Sequence, residues 1–272
     1  MSILPFYQVD AFASRPFEGN QACVMPMEAF LPDETLQKIA AENNVAETAY
    51  IVPQADGVWA LRWFTPAVEV PLCGHATLAS AHILFDAGGY SADIIHFDTV
   101  HSGRLSVRRL EDGRLEMDFP SAPITPVPVT DEISAALGAR PIEAWAGMFY
   151  AARFESSEEI RRLAPDHRAL KTLGSDGDGW ERGNFGCFAL YGEGADATSR
   201  FFVPGSGIDE DPATGSWHTM LARILAEHFG QSEARCYQAY PGRGAWIDVK
   251  LEGERAKLTG RAVTVIEGQF RL

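Results

Sequence analysis

A strand–turn–helix block occurs twice in this chain, about half its length apart, and a duplication of that kind constrains the fold to two related halves. Residues 75–84 resemble residues 212–221, an offset of 212 − 75 = 137 positions in a chain of 272. The match pairs Thr77 with Thr214 and Cys73 with Glu210. Each block follows a strand-like run, 59–64 in one half and 199–203 in the other. Each opens a helix that stops at glycine, Gly88-Gly89 in the first case and Gly230 in the second. Four of the 16 prolines fall between positions 120 and 128, which marks that stretch as the linker. The expectation is an N-terminal lobe of residues 1–120 and a C-terminal lobe of residues 121–272, with the chain ends free to cross over.

The remaining pattern mixes strands and helices. Alternating aromatic and β-branched residues predict strands at 6–12, 49–52, 145–154, 185–191, 245–251 and 262–270. Asp112-Gly113 predicts a hairpin joining 105–109 to 115–119. Pro32-Asp33-Glu34 opens a helix through Leu36, Ile39 and Ala40, and a short one is expected at 131–137.

Composition narrows the function classes. The formal charge is −14, from 37 acidic against 23 basic residues, and no basic cluster interrupts it, so nucleic acid is not an expected partner. Cys23, Cys73, Cys187 and Cys236 are widely spaced with no CxxC pair, which argues against both a disulfide framework and a zinc site. The start of the chain lacks the basic and apolar regions of a signal peptide, and the most apolar stretch, 76–85, is too short to span a bilayer. No membrane association is expected, and the expected location is the cytoplasm. No GxGxxG, P-loop or metal-ligand spacing occurs, so neither metal nor organic cofactor is expected.

Three segments could carry chemistry. In the first, Gly74 lets backbone approach a ligand and the free amides after it can hold an anion; His75, at a helix start, would tend to stay neutral because the dipole disfavours its protonation. In the second, Glu210 and Asp211 precede a helix start containing Thr214-Gly215-Ser216, which combines an anion-binding turn with a carboxylate. Both segments also fit ordinary capped helix starts. In the third, Glu47 lies among small residues at a helix-to-strand junction, where partial desolvation would raise its pKa toward the range useful for acid–base work. A solvated glutamate fits that junction as well.

Taken in order, these pieces resemble the phenazine-biosynthesis PhzF-like family of the diaminopimelate-epimerase-like fold. The resemblance runs through residues 9–12, 17–20, 46–48, 64–66, 73–77, 200–202, 210–216 and Gly242-Arg243, and so covers nearly the whole chain. It implies an α+β fold of two pseudo-symmetric lobes, each a curled, mostly antiparallel sheet or barrel around a central helix, with the active site in a cleft between them. It further implies a cofactor-independent isomerase acting on a small anionic carboxylate, in which Glu47 carries a proton between carbons. His75 and Asp211 would be its catalytic partners, and Asn20, Gly74, Gly215, Ser216 and Arg243 would bind substrate; a homodimer is a possible assembly. The namesake reaction isomerises a dihydro-hydroxyanthranilate. Ala46 and Gln21 depart from the Ser and Pro often found at these places, which could alter the pocket without removing a catalytic group.

Two other readings remain open. An epimerase would use Glu47 on one face of the substrate and Glu210 or Asp211 on the other. A two-thiol racemase is disfavoured, because the repeat sets no cysteine opposite Cys73. A silent homologue that binds a metabolite or a protein would have no need to keep Glu47, His75 and Asp211 together. Substrate choice is expected to depend on loops such as 174–183.

Overall fold

The structure, a computed structural model, describes residues 3–174, 180–192 and 194–272. The chain divides into two compact units, Met1–Asp118 with Thr259–Leu272, and Phe119–Leu258. Of the loop expected to shape substrate choice, residues 175–179 lie outside the described residues, as do Met1 and Ser2.

The first unit carries β1 (Ile3–Ala11), β2 (Asn20–Pro26), α1 (Asp33–Asn43), β3 (Glu47–Pro53), β4 (Val58–Phe64), β5 (Glu69–Val70), α2 (Gly74–Asp86), β6 (Ile94–Thr99) and β7 (Arg104–Arg109). A further strand, β8 (Leu115–Pro120), closes the hairpin around Asp112-Gly113. The second unit holds β9 (Thr125–Pro126), α3 (Asp131–Leu137), β10 (Glu143–Ala146), β11 (Tyr150–Arg153), α4 (Ser157–Arg162), α5 (His167–Thr172), β12 (Phe185–Leu190) and β13 (Ala197–Phe202). It continues through β14 (Glu210–Asp211), α6 (Gly215–Phe229), β15 (Glu233–Gln238), β16 (Ala245–Glu252) and most of β17 (Arg255–Gly260). The last strand, β18 (Ala262–Arg271), pairs with β1 in the first unit.

The two units share one succession of strand pairings. In the first, β1 pairs antiparallel with β2, β2 runs parallel to β3, β3 is antiparallel to β4, and β4 runs parallel to β6. In the second, β10, β11, β12, β13 and β15 repeat those four steps in the same order. The fold is α+β, with curled sheets and not the closed barrel that was the other expectation. Closure needs both edges of a run paired at a matching stagger, and the described pairings do not bring the first strand of either run onto its last.

The sheet of the first unit curls because α2 must be covered. Ten of its residues are buried, on every face, and it packs against β1, β2, β3 and β18. A helix apolar all round has no stable place except inside. On the other side of the sheet α1 contributes Leu36, Ile39 and Ala40 to a cluster with Met25, Tyr50 and Phe64, and Tyr50 donates to the Leu36 carbonyl at 2.6 Å. In the second unit α6 packs on β15 and β16, while α3, α4 and α5 supply Ile133, Leu137, Ile160 and Leu170 to a core with Phe154, Phe185 and Phe202. No helix among the described residues is long and apolar enough to cross a membrane.

The structure corrects the alignment of the repeat. Phe64 pairs with Glu69 as Phe202 pairs with Glu210, so Phe202 answers Phe64 and Glu210 answers Glu69. Arg62 grips Glu69 through two bonds of 2.7 Å, and Arg200 grips Glu210 through bonds of 2.8 and 2.7 Å. The helices then start at Gly74 and Gly215, an offset of 215 − 74 = 141. Thr77 therefore corresponds to His218, and Cys73 to Thr214, not to Glu210. A shift of four residues is close to one helical turn of 3.6, so both alignments superimpose apolar positions; the strand pairings ahead of the helices separate them. One further expectation changes. The run 145–154 is not one strand but β10 and β11, an antiparallel pair turned between Ala146 and Tyr150.

Candidate active site

Glu47 is the first residue of β3, and His75 is the second residue of α2. Their side chains meet inside the first unit, with His75 Nε2 at 3.0 Å from Glu47 Oε2 and the two side chains only 6% and 17% exposed. Both atoms are buried, and neither has an in-line hydrogen-bond partner. On the opposite edge of the ring, Nδ1 faces Asn20 Nδ2 at 3.3 Å and Cys73 Sγ at 3.5 Å. With the Asn20 amide donating to Nδ1, the neutral ring carries its proton on Nε2, toward Glu47. Protonating the second nitrogen requires Asn20 to turn its oxygen to Nδ1.

Asn20 is held in place by the loop before it. The Asp10 carboxylate, on β1, accepts from the Phe17 amide at 2.8 Å. Gly19 has φ of +63°, and a Cβ there would lie 2.0 Å from the Ala11 carbonyl oxygen, so only glycine fits this turn into β2. Asn20 itself is buried.

The electrostatics of His75 reverse the sequence expectation. The helix dipole alone predicts a neutral ring. Burial also opposes protonation, but Cys73 and the Glu47 carboxylate outweigh it, and the imidazole pKa is raised well above 6.5. Burial, with Glu47 adding to it, pushes the Cys73 thiol above its ordinary value. A protonated thiol brings no charge, so the carboxylate of Glu47 is the group that favours the imidazolium.

The starts of α2 and α6 leave first-turn amides without side-chain caps, as does that of α1. Neither α2 nor α6 has a side-chain cap, whereas Thr130, Ser156 and Asp166 cap α3, α4 and α5. Uncapped first-turn amides at Gly74–His75 and Gly215–Ser216 are donors that a carboxylate can take. In each unit a side chain one turn along fixes the peptide that opens the helix. Thr77 Oγ1 donates to the Cys73 carbonyl at 2.6 Å, and His218 Nδ1 faces the Thr214 carbonyl at 2.8 Å.

Asp211, Gly215 and Ser216 lie together in the second unit, at β14 and the start of α6. Asp211 accepts from the Thr214 hydroxyl. Gln238, at the end of β15 and fully buried, joins this turn from below. Its Oε1 accepts from the Thr214 amide at 2.9 Å, and its Nε2 donates to the Asp211 carbonyl at 2.6 Å and to Thr214 Oγ1 at 3.2 Å. Arg243 stands in the turn that leaves the same end of β15, where its amide donates to the Tyr240 carbonyl at 3.2 Å. Sequence reasoning passed over Gln238 and His218. No pattern singles out Gln238; His218 was visible only once Thr77 was set opposite it.

The counterparts of the Glu47 cluster in the second unit hold no acid–base pair. Thr48 pairs with Phe64 as Phe185 pairs with Phe202, which sets Asn184 opposite Glu47. The helix starts set Ser216 opposite His75 and Thr214 opposite Cys73. Glu210, a candidate second acid for an epimerase, is committed to Arg200, with side chains 11% and 7% exposed.

Comparison with known proteins agrees with this architecture. A family model described as phenazine biosynthesis-like protein matches residues 9–268. An uncharacterized isomerase of Pseudomonas aeruginosa is 42% identical over 270 residues, covering 99% of both chains. The crystal structure of a phenazine biosynthesis protein of the PhzF family from Enterococcus faecalis superimposes with a TM-score of 0.93 at 35% identity, covering 100% of both chains. A hydroxyproline epimerase from Agrobacterium vitis shares the fold, with a TM-score of 0.61 at 13% identity over 98% of this chain and 92% of its own.

Proposed function

Because this chain belongs to the phenazine biosynthesis-like family, we propose that it is an isomerase that moves a proton between carbons of a small carboxylate substrate. Glu47 is the group that takes and returns the proton. The observation that carries this reading is the buried Glu47–His75 contact, 3.0 Å across, between atoms with no in-line hydrogen-bond partner. A carboxylate in that position can accept a proton from carbon, hold it in a site shielded from water, and deliver it to a second carbon. His75 compensates the charge of Glu47 while the carboxylate is ionised. Asn20 and Cys73 fix the plane of the imidazole, and the first amides of α2 hold the substrate carboxylate. Asp211, Gly215, Ser216 and Arg243, all in the second unit, are proposed as further substrate-orienting groups.

One base suits an isomerisation in which the proton leaves and returns on one face. A two-base epimerase needs a second acid–base group. The positions answering Glu47, Cys73 and His75 are Asn184, Thr214 and Ser216, and Glu210 is bound to Arg200. Asp211, which accepts from the Thr214 hydroxyl, is the candidate that remains. The test is a screen of small unsaturated and α-substituted carboxylates in D₂O, read by proton NMR. The wild type should place deuterium on carbon in at least one member, and Glu47→Gln should not. Equal exchange by both would remove Glu47 from the mechanism.

A further inference from the structure

We propose that Asn20 is a positioning residue that governs the charge of the His75 ring, and through it proton transfer at Glu47, and that it is not a ligand of the substrate. The ring is wedged between the first residues of two adjacent strands. Glu47 opens β3, and Asn20 opens β2, which runs parallel to β3 with Ala22 opposite Glu47. Asn20 lies two residues ahead of Ala22 and so shares the face of the sheet that carries Glu47. The two side chains reach opposite edges of one imidazole, Glu47 Oε2 at 3.0 Å from Nε2 and Asn20 Nδ2 at 3.3 Å from Nδ1. An ionised carboxylate can only accept, so it keeps a proton on Nε2, and the charge of the ring is decided at Nδ1.

A primary amide is suited to that decision. With its nitrogen toward Nδ1 it donates and the ring is neutral; with its oxygen there it accepts and the ring holds a second proton, at no change of shape. The Cys73 thiol, 3.5 Å from Nδ1, is a weak donor and a weak acceptor, and leaves the choice to the amide. The other titratable groups on the strands packed against α2 face elsewhere. Asp10 of β1 turns a carboxylate oxygen to the Phe17 amide, Cys23 of β2 alternates to the face opposite Asn20, and Glu267 and Arg271 of β18 are exposed. Backbone strain supports the placement. Phe12 and Phe17 have φ of +58° and +73°, left-handed values that side chains rarely adopt, within the loop that leads into Asn20. Such angles persist where the surroundings over-determine them, and they cluster at functional sites; here the Asp10 bond fixes Phe17 three residues before Asn20. Asn20 is itself only 1% exposed, which leaves little of it for a substrate and suits a residue that works through its neighbour. The hold on the ring stands on this geometry; its effect on turnover rests on Glu47 being the proton carrier.

The experiment compares ¹⁵N-labelled full-length wild type with Asn20→Asp and Asn20→Leu, both of which keep the branched outline of asparagine. Long-range proton–nitrogen correlation spectra across the neutral and alkaline range report the protonation of His75, whose signals are those missing from His75→Gln. Aspartate can only accept at Nδ1 and should raise the His75 midpoint by roughly one pH unit or more; leucine offers Nδ1 nothing and should lower it by about as much. Should one variant fail to fold, the direction of the other decides. Deuterium exchange into a carboxylate found in the D₂O screen, followed over the same range, should show an alkaline inflection that moves with the His75 midpoint, while KM for that carboxylate stays near wild type. A midpoint that does not move in the folded variants overturns the proposal. So does a KM raised roughly tenfold or more, as loss of a hydrogen bond to a charged ligand would raise it. Midpoints that move while exchange ignores them would uphold the hold of Asn20 on the ring and sink the part given to the Glu47–His75 pair in turnover, so the two ideas fail separately.

Discussion

His75 and Glu47 face each other across 3.0 Å, from the first turn of α2 to the first residue of β3, with both contact atoms buried. Twenty-eight positions separate them in the chain (75 − 47 = 28), and both sit at the start of an element, where backbone geometry leaves little freedom. Several measurable consequences depend on this contact.

Glu47→Gln keeps the shape of the side chain but cannot accept a proton. Turnover should fall by roughly 10²-fold or more, the usual worth of acid–base catalysis. Affinity for a carboxylate analogue should be retained, because the amides of α2 are untouched. Steady-state kinetics beside isothermal calorimetry separates the two effects, and full turnover in the variant would show that another group carries the proton.

The raised pKa of His75 has a defined sign. An imidazole whose folded pKa exceeds its unfolded value contributes stability that is complete below about pH 6.5 and declines as the pH climbs through the folded value. The stability advantage of wild type over Glu47→Gln should thus be largest near pH 6 and shrink in alkali. Urea midpoints across that range measure it. In NMR titrations His75 should lose its proton later than free histidine, and earlier in Glu47→Gln. A constant gap between the two proteins would contradict the pairing.

His218 shifts the other way. Burial lowers its pKa to about 4, with the Thr214 carbonyl partly opposing. Here the unfolded chain takes up the proton first, so stability is intact above about pH 6.5 and falls toward pH 4, by up to about 3 kcal/mol. His218→Asn retains a donor toward Thr214 but cannot titrate, and its acid limb should be shallower. Thermal melts in matched buffers from pH 4 to 7 decide the point.

Arg200 and Arg62 make the same grip on unequal surroundings. Glu210 is 11% exposed and Glu69 27%, and Arg200 also donates to the Leu163 carbonyl at 2.7 Å. Replacing Arg200 by Met strands a buried carboxylate and should cost about 3–5 kcal/mol. Arg62→Met should cost clearly less, because Glu69 can recruit water. Equal losses in denaturant midpoints would mean that burial does not govern these pairs.

Gln238 is a purely tertiary element of the second unit. Gln238→Leu takes the acceptor from the buried Thr214 amide, at about 1–3 kcal/mol, and removes one donor from the part-buried Asp211 carbonyl. Faster hydrogen exchange confined to the turn 211–216 should accompany the loss. Unchanged protection there would show that the turn holds itself.

The sequence by itself pointed to a duplicated fold and to two helices opening at Gly74 and near Thr214, whereas Glu47 and His75 were singled out only by the resemblance to the PhzF-like family. Periodicity, turn glycines and capping chemistry act over a few residues, and those signals are local. The sequence could not set the register of the repeat. An offset of 137 and one of 141 differ by about a turn of helix and bury the same face, and only the pairings Phe64 with Glu69 and Phe202 with Glu210 distinguish them. Nor could it decide the charge on His75. The helix dipole pointed to a neutral ring, and the direction changed because the sheet brings the carboxylate of Glu47 within 3.0 Å of it. Electrostatic and packing terms of that kind depend on distance in space, which separation along the chain does not report.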